Sequence, residues 1–238
     1  MHQQIKLIAK DLAVVVIIFI LISTFSFQSF HIPSGSMEPT LEVGDRVFVS
    51  KFSYGYNRFS IPFDPPIGDG SIFYDAPERG DVTVFTNPTD DFKDIIKRVI
   101  GLPGDSIQMK NGRLYINGEI VKRELVRRVV YTNYRGDATS ALEYDETLPG
   151  GLVHRIYERG DSNSLDNTPL IVVPAGHFFM MGDNRDSSAD SRTPMGPVRK
   201  EYLVGRAVVT TFSLYDCDQG KDIPCKFGIP FGRFFKGL

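Results

Sequence analysis

The chain has 238 residues, room for one sizeable domain or for a core with an inserted subdomain. Hydrophobic residues make up 42% and charged residues 24%, ordinary proportions for a folded protein. The formal net charge of -2, with no clustered basic helix and no nucleic-acid-binding motif, excludes DNA or RNA as the expected partner.

The first element in the chain is Leu12–Phe27, "LAVVVIIFILISTFSF", which carries no charge. A helix continued through Phe30 would span about 28 Å at roughly 1.5 Å per residue, close to the ~30 Å of a bilayer's hydrocarbon core. Ser23, Thr24 and Ser26 do not forbid this, because their hydroxyls can bond back to earlier carbonyls. Lys6 and Lys10 precede the run, which favours a cytoplasmic N-terminus and an exported remainder. A cleaved signal peptide is the rival reading. The run is longer than a usual signal core, and no clear small-x-small cleavage site follows it. The expected organisation is a cytoplasmic tail over 1–11, a single transmembrane anchor over 12–30 and an extracytoplasmic domain over 31–238.

After the anchor the pattern is strand-like. "GDRVFVSKF", "GDVTVF" and "EYLVGRAVVTTF" are short, rich in β-branched and aromatic residues, and begin or break at glycine. Gly-Asp precedes apolar runs at Gly44, Gly80 and Gly104, as expected of turns feeding strands. "YNRFSIPFDPPIGDG" holds three prolines and reads as a long loop or edge ribbon. "SIQMKNGRLYINGEIV" contains Asn111-Gly112 and Asn117-Gly118, each a signal for a tight two-residue hairpin turn, so a small meander is expected. The stretch from about Tyr131 to Thr168 is polar and weakly patterned, which suggests an insertion carried on the core, placed at about 108–174. "RGD" at Arg79, Arg135 and Arg159 reads as turn chemistry rather than as an integrin ligand. Cys217 and Cys225 fit an oxidising compartment and a short-loop disulfide, with free thiols the other possibility. Two thiols without nearby histidines do not complete a zinc shell. The phenylalanine-rich basic tail "FGIPFGRFFKGL" is a candidate for contact with lipid. The fold class is mainly β behind one membrane helix.

Three segments can carry chemistry. In "SGSM", Gly35 lets the chain turn sharply, so that Ser36 projects with a free N–H and Ser34 offers a second donor. A serine nucleophile also needs a base. His2, His31, His154 and His177 sit in no Ser/His/Asp signature. In "DIIKRVIGLPGD", read as a strand, Ile95, Lys97 and Val99 share one face and Ile96, Arg98 and Ile100 the other. Alternation leaves open which cation is buried. Chemistry favours Lys97, because a lysine withdrawn from water can become a neutral amine and an arginine cannot. The third segment, "GDNRDSSADSR", suits a buried hydrogen-bond network or a solvated turn. A calcium loop on Asp186, Ser188 and Asp190 is a poorer reading, since the expected glycine and distal glutamate are missing.

Taken together, "IPSGSMEPTL", "GDRVFVSKF", "KRVIGLPGD" and "GDNRDSSADSR" follow an N-terminal span in the order found in bacterial type I signal peptidases, the leader peptidase family of Ser/Lys proteases, which the chain resembles. The resemblance implies a β-rich catalytic core with an inserted β subdomain. It implies Ser36 as nucleophile, Lys97 as general base, and Ser34 with the Ser36 N–H as oxyanion hole. Ser188 would hold the Lys97 amine. Asp190 and Arg192 would pair to support that loop, with Asp183 and Arg185 as further structural members. Ile32, Pro33, Met37, Leu41, Ile95 and Ile96 would line small apolar pockets for alanine-like side chains. No cofactor or metal is implied. The expected partners are signal peptides of exported preproteins and the lipid bilayer, with the enzyme acting as a monomer on the outer face of the cytoplasmic (inner) membrane. A dedicated protease for one secretion component and a non-catalytic anchored β-domain are the alternatives.

Overall fold

The N-terminal helix, α1 (His2–Phe25), stops where the uncharged run gives way to alternation. Phe27–His31 forms β1, which pairs antiparallel with β2 (Asp45–Ser50) from Phe27↔Ser50 to His31↔Arg46. The helix expected to reach Phe30 therefore ends at Phe25. Gln28 and Phe30 are half-buried while their neighbours are exposed, the period of two that a sheet edge imposes. Among the described residues no helix is long and apolar enough to cross a membrane, so the fold alone does not establish the anchor expected over 12–30. The computed structural model describes residues 2–60, 70–132, 137–213 and 234–238. The two cysteines, "RGD" at Arg135, most of the proline-rich loop and the first part of the phenylalanine-rich tail lie outside them.

The remaining strands are β3 (Val82–Asn87), β4 (Lys93–Gly101), β5 (Ser106–Lys110), β6 (Arg113–Ile116), β7 (Glu119–Ile120), β8 (Lys122–Thr132), β9 (Ala138–Thr147), β10 (Val153–Glu158), β11 (Ile171–Val172), β12 (His177–Met181), β13 (Val198–Arg199), β14 (Leu203–Ser213) and β15 (Lys236–Gly237). The largest sheet runs β1-β2-β14-β3-β4-β12-β13, with β15 also on β14. Two smaller antiparallel sheets, β11-β5-β6-β7 and β10-β9-β8, are built from the chain between β4 and β12. The molecule is mainly β.

Turn chemistry explains much of this layout. Asn111, Gly112, Asn117 and Gly118 all have positive φ, as a type I′ hairpin turn requires at both central positions. These turns join β5 to β6 and β6 to β7. At the Gly-Asp pairs the aspartate accepts from the N–H three residues earlier: Asp45 from Glu42, Asp81 from Glu78 and Asp105 from Leu102. Gly44, Gly80 and Gly104 supply the positive φ of each turn. "RGD" at Arg79 is one of these turns.

The stretch from Tyr131 to Thr168 is more regular than its composition suggests. It holds the end of β8 and all of β9 and β10. Its strands carry charge ladders, with Glu143 accepting from both Arg127 and Arg155, so apolar alternation is hidden. Among the described residues the core comprises three apolar clusters. Ile32, Met37, Leu41, Val82, Val84 and Ile96 belong to one, Phe85, Val99, Phe178 and Met180 to a second, and Ile100, Ile107, Leu114 and Phe179 to a third beneath the β5–β6 hairpin. Because β4 contributes to all three, every residue of it from Ile96 to Gly101 is buried.

Candidate active site

Ser36 sits in a short 3-10 turn, Gly35–Met37, between β1 and β2, and is 8% exposed. Its Oγ lies 2.6 Å from Nζ of Lys97, a residue of β4 that is 4% exposed. Nζ also donates to the carbonyl of Ile96 at 3.0 Å. An ammonium donates to the hydroxyl across the 2.6 Å separation, and a neutral amine at the same distance accepts the hydroxyl proton. Burial depresses the Lys97 pKa from 10.5 to about 8, against the pull of Asp190 and Asp183 in the other direction. Ser34 Oγ lies 3.4 Å from Ser36 Oγ. The Ser36 N–H donates to no group among the described residues. The site opens on a cleft of about 280 Å³ that Ser34, Ser36, Asn87, Ile95, Lys97 and Tyr131 help to line.

The loop after β12 holds the Ser36 turn in place. Asn184 donates from its backbone N–H to the Ser36 carbonyl at 3.1 Å and from Nδ2 to the Gly35 carbonyl at 3.0 Å. A Cβ on Gly182 would lie 2.4 Å from the Ser36 carbonyl oxygen and 2.3 Å from Ser188 Oγ, so only glycine fits there. Asp190 accepts from Arg192 Nε and Nη2 at 2.9 and 2.8 Å and from the Gly182 N–H at 3.0 Å. Burial opposes ionisation of Asp190, yet Arg192 holds its carboxyl below the usual range.

Both cations of β4 are buried. Arg98 makes a two-pronged contact with Asp183, Nε–Oδ1 at 2.8 Å and Nη2–Oδ2 at 2.7 Å, and donates to the Gly80 carbonyl. Despite burial, Arg98 and His154 keep the Asp183 carboxyl far below the carboxylate range. His154 bridges onward, with Nδ1 3.4 Å from Asp183 and Nε2 3.1 Å from Glu146. Glu146 in turn pairs with Arg185 through both of its oxygens. Burial would raise the Glu146 carboxyl, but Arg185 and His154 bring it to about 2. This chain of charges ties β9 and β10 to the loop behind Ser36.

Ser36, Lys97 and Ser34 thus lie together, with Asp183, Asp190 and Arg192 in the loop beside them and Arg185 reaching away to Glu146. Ser188, expected to hold the Lys97 amine, is buried, and its hydroxyl helps to keep the neighbouring Asp190 carboxyl low. Its side chain is packed against Gly182, and the Lys97 protons go to Ser36 and Ile96. Of the expected pocket residues, Ile95 lines the cleft. Ile32, Met37, Leu41 and Ile96 are packed in the core, and Pro33 is exposed. Sequence reasoning missed Arg98, Gly182, Asn184, Tyr131, Glu146 and His154 as site-building residues. Arg98 carried a signal, since a cation on a strand buried on both faces requires a carboxylate.

Residues 5–212 match the family described as signal peptidase, peptidase S26, and the chain belongs to that family of serine peptidases, whose mechanism uses a Ser/Lys dyad. Its relatives are specific. Signal peptidase I of Rickettsia bellii (strain OSU 85-389) is 36% identical over 247 aligned positions, covering 96% of this chain and 84% of the relative. Signal peptidase I of Rickettsia prowazekii (strain Madrid E) is 37% identical over 255 positions, covering 100% and 95%. A crystal structure of a signal peptidase I from Enterococcus faecalis V583 is 25% identical, with a TM-score of 0.34, and covers 56% of this chain and 97% of that one.

Proposed function

We propose that this peptidase removes signal peptides from exported preproteins, with Ser36 as nucleophile and Lys97 as its base. The observation that carries the reading is a buried amine, 2.6 Å from a serine hydroxyl, with no histidine at the pair among the described residues. In the neutral form Lys97 takes the Ser36 proton as Oγ attacks the scissile carbonyl. The Ser36 N–H and Ser34 hydroxyl supply donors for the oxyanion. The lysine ammonium then protonates the departing amine of the mature protein, leaving the signal peptide as an acyl group on Ser36. Water, deprotonated by the same amine, hydrolyses that ester and returns Ser36 to its resting form.

The reading includes a membrane anchor. In length alone α1 matches the ~30 Å core, its 24 residues making about 36 Å at roughly 1.5 Å per residue, although as described it does not combine that length with the apolarity of a span. It has no charge from Leu12 to Phe25, and Leu12 and Val14–Phe19 are exposed on its surface. That apolar exterior suits lipid. The two smaller sheets between β4 and β12 form the inserted subdomain. Tyr131 of β8 reaches the catalytic loop from it, 3.1 Å from Ser187 Oγ and 3.3 Å from Asn184 Oδ1.

Cleavage of a preprotein by the purified enzyme in detergent tests the assignment. Ser36→Ala and Lys97→Ala are expected to abolish product while circular dichroism stays that of the parent. Full activity in either variant defeats the mechanism.

A further inference from the structure

Behind the catalytic loop lies a second group of acids that the peptidase chemistry does not use. Glu158 ends β10, Asp166 closes the turn that follows, and Asp186 belongs to the 3-10 turn Arg185–Ser187. One carboxylate oxygen from each lies within 4.8 Å of the other two. Glu158 and Asp166 are 1% and 0% exposed, and Asp186 is half-buried.

Each acid has one oxygen engaged and one left over. Glu158 Oε1 accepts from Arg123 at 3.4 Å, Asp166 Oδ2 from the Asn163 N–H, and Asp186 Oδ2 from the Arg159 N–H at 2.6 Å. Glu158 Oε2, Asp166 Oδ1 and Asp186 Oδ1 are buried with no hydrogen-bond partner among the described residues. The guanidiniums nearby form ion pairs with other acids: Arg185 with Glu146, Arg192 with Asp190, and Arg123 with Asp161 as well as Glu158. Arg185 Nε and Arg192 Nη1 are left over, but neither hydrogen-bonds these three oxygens. Three converging carboxylates, each with one oxygen buried and unpartnered, are costly unless something positive joins them.

We propose that Glu158, Asp166 and Asp186 bind a divalent cation, calcium by the chemistry of the donors, which fastens the segment after β10 to the loop that holds Ser36. An all-carboxylate donor set suits a hard cation, and calcium tolerates the irregular geometry of ligands brought from three separate segments, whereas magnesium demands a near-ideal octahedron and gives up its waters reluctantly. Water and backbone carbonyls complete the shell. The site differs from the calcium loop weighed in the sequence, because Asp190 is taken by Arg192 and the partners of Asp186 come from a distant segment. Its role is structural and separate from the Ser36–Lys97 chemistry. The competing occupant is a proton: burial, with help from Asp186, pushes the Glu158 carboxyl up to about 8.

The test uses the full chain in detergent, stripped with a chelator and then titrated with calcium chloride alone. Thermal unfolding and isothermal calorimetry are the readouts, both independent of peptidase activity. One calcium per chain is expected, with the midpoint rising by about 5–10 °C at one hundred times Kd. Magnesium should give a smaller rise. Glu158→Gln and Asp166→Asn, each close in shape to the residue it replaces, should lose the response. No heat and no shift in the parent chain up to about 10 mM calcium, above the range of weak extracellular sites, overturns the proposal. An unchanged response in a folded variant overturns it equally. If neither variant folds, the parent titration decides by itself.

Discussion

At the scale of single residues, the proposed role of Lys97 has function drawing on stability. A pKa of about 8 leaves roughly a tenth of the amine neutral at pH 7. The rate of cleavage at low substrate should therefore rise about tenfold per pH unit below 8 and level off above it. A profile without an ionisation near 8 would show that another group is the base. The same shift carries a folding cost. Lowering the amine from 10.5 to about 8 corresponds to roughly 3 kcal/mol against the folded state when the group is charged. The unfolded chain binds the extra proton between these two values. The penalty is thus complete below pH 8 and gone above about 10.5. Lys97→Met should be inactive yet more stable than the parent at pH 7, by up to about 3 kcal/mol in denaturant titration. A less stable Lys97→Met would mean that the amine is better solvated than its burial implies.

At the scale of elements, the loop after β12 acts as a clamp whose tightness is set by Gly182. A methyl group there must displace either the Ser36 carbonyl or Ser188. Gly182→Ala should lower kcat by about 100-fold, the usual penalty for misplacing a reacting group by an ångström, with KM little altered. An unchanged kcat would show that the loop yields freely. What the sequence revealed of these elements depended on range. The Asn-Gly and Gly-Asp turns were legible because their chemistry is local, and Ser36, Lys97 and the "GDNRDSSADSR" loop because short motifs carry them. The β8–β9 hairpin was hidden, since Arg127, Glu143 and Arg155 satisfy one another across strands and leave no apolar rhythm. The contacts of Glu146 and His154 with Arg185 and Asp183 join segments far apart in the chain, which no local pattern records. The end of α1 was misplaced because Phe27 and Phe30 are apolar in either setting, and only pairing with β2 distinguishes strand from helix.

At the scale of the whole molecule, α1 meets the rest of the chain mainly at β1, and the large sheet has its own core. Deleting residues 2–25 should leave a folded domain that cleaves a short soluble peptide at close to the parental rate. Cleavage of a preprotein held in vesicles should fall on the order of 10–100-fold, because enzyme and substrate no longer share a surface. Equal loss on both substrates would instead place the helix within the catalytic fold.

A single residue, Ser26, separates the last turn of α1 from the first pairing of β1, and the Ser26 carbonyl is itself tied to the Lys51 N–H. Such a joint has almost no slack. On the proposed anchoring, with α1 upright in lipid, the domain would stand at a set height, like a gauge fixed to a bench. Selection would then act through position as well as side-chain size: a scissile bond presented too far above or below that level would be passed over, however well its residues fit.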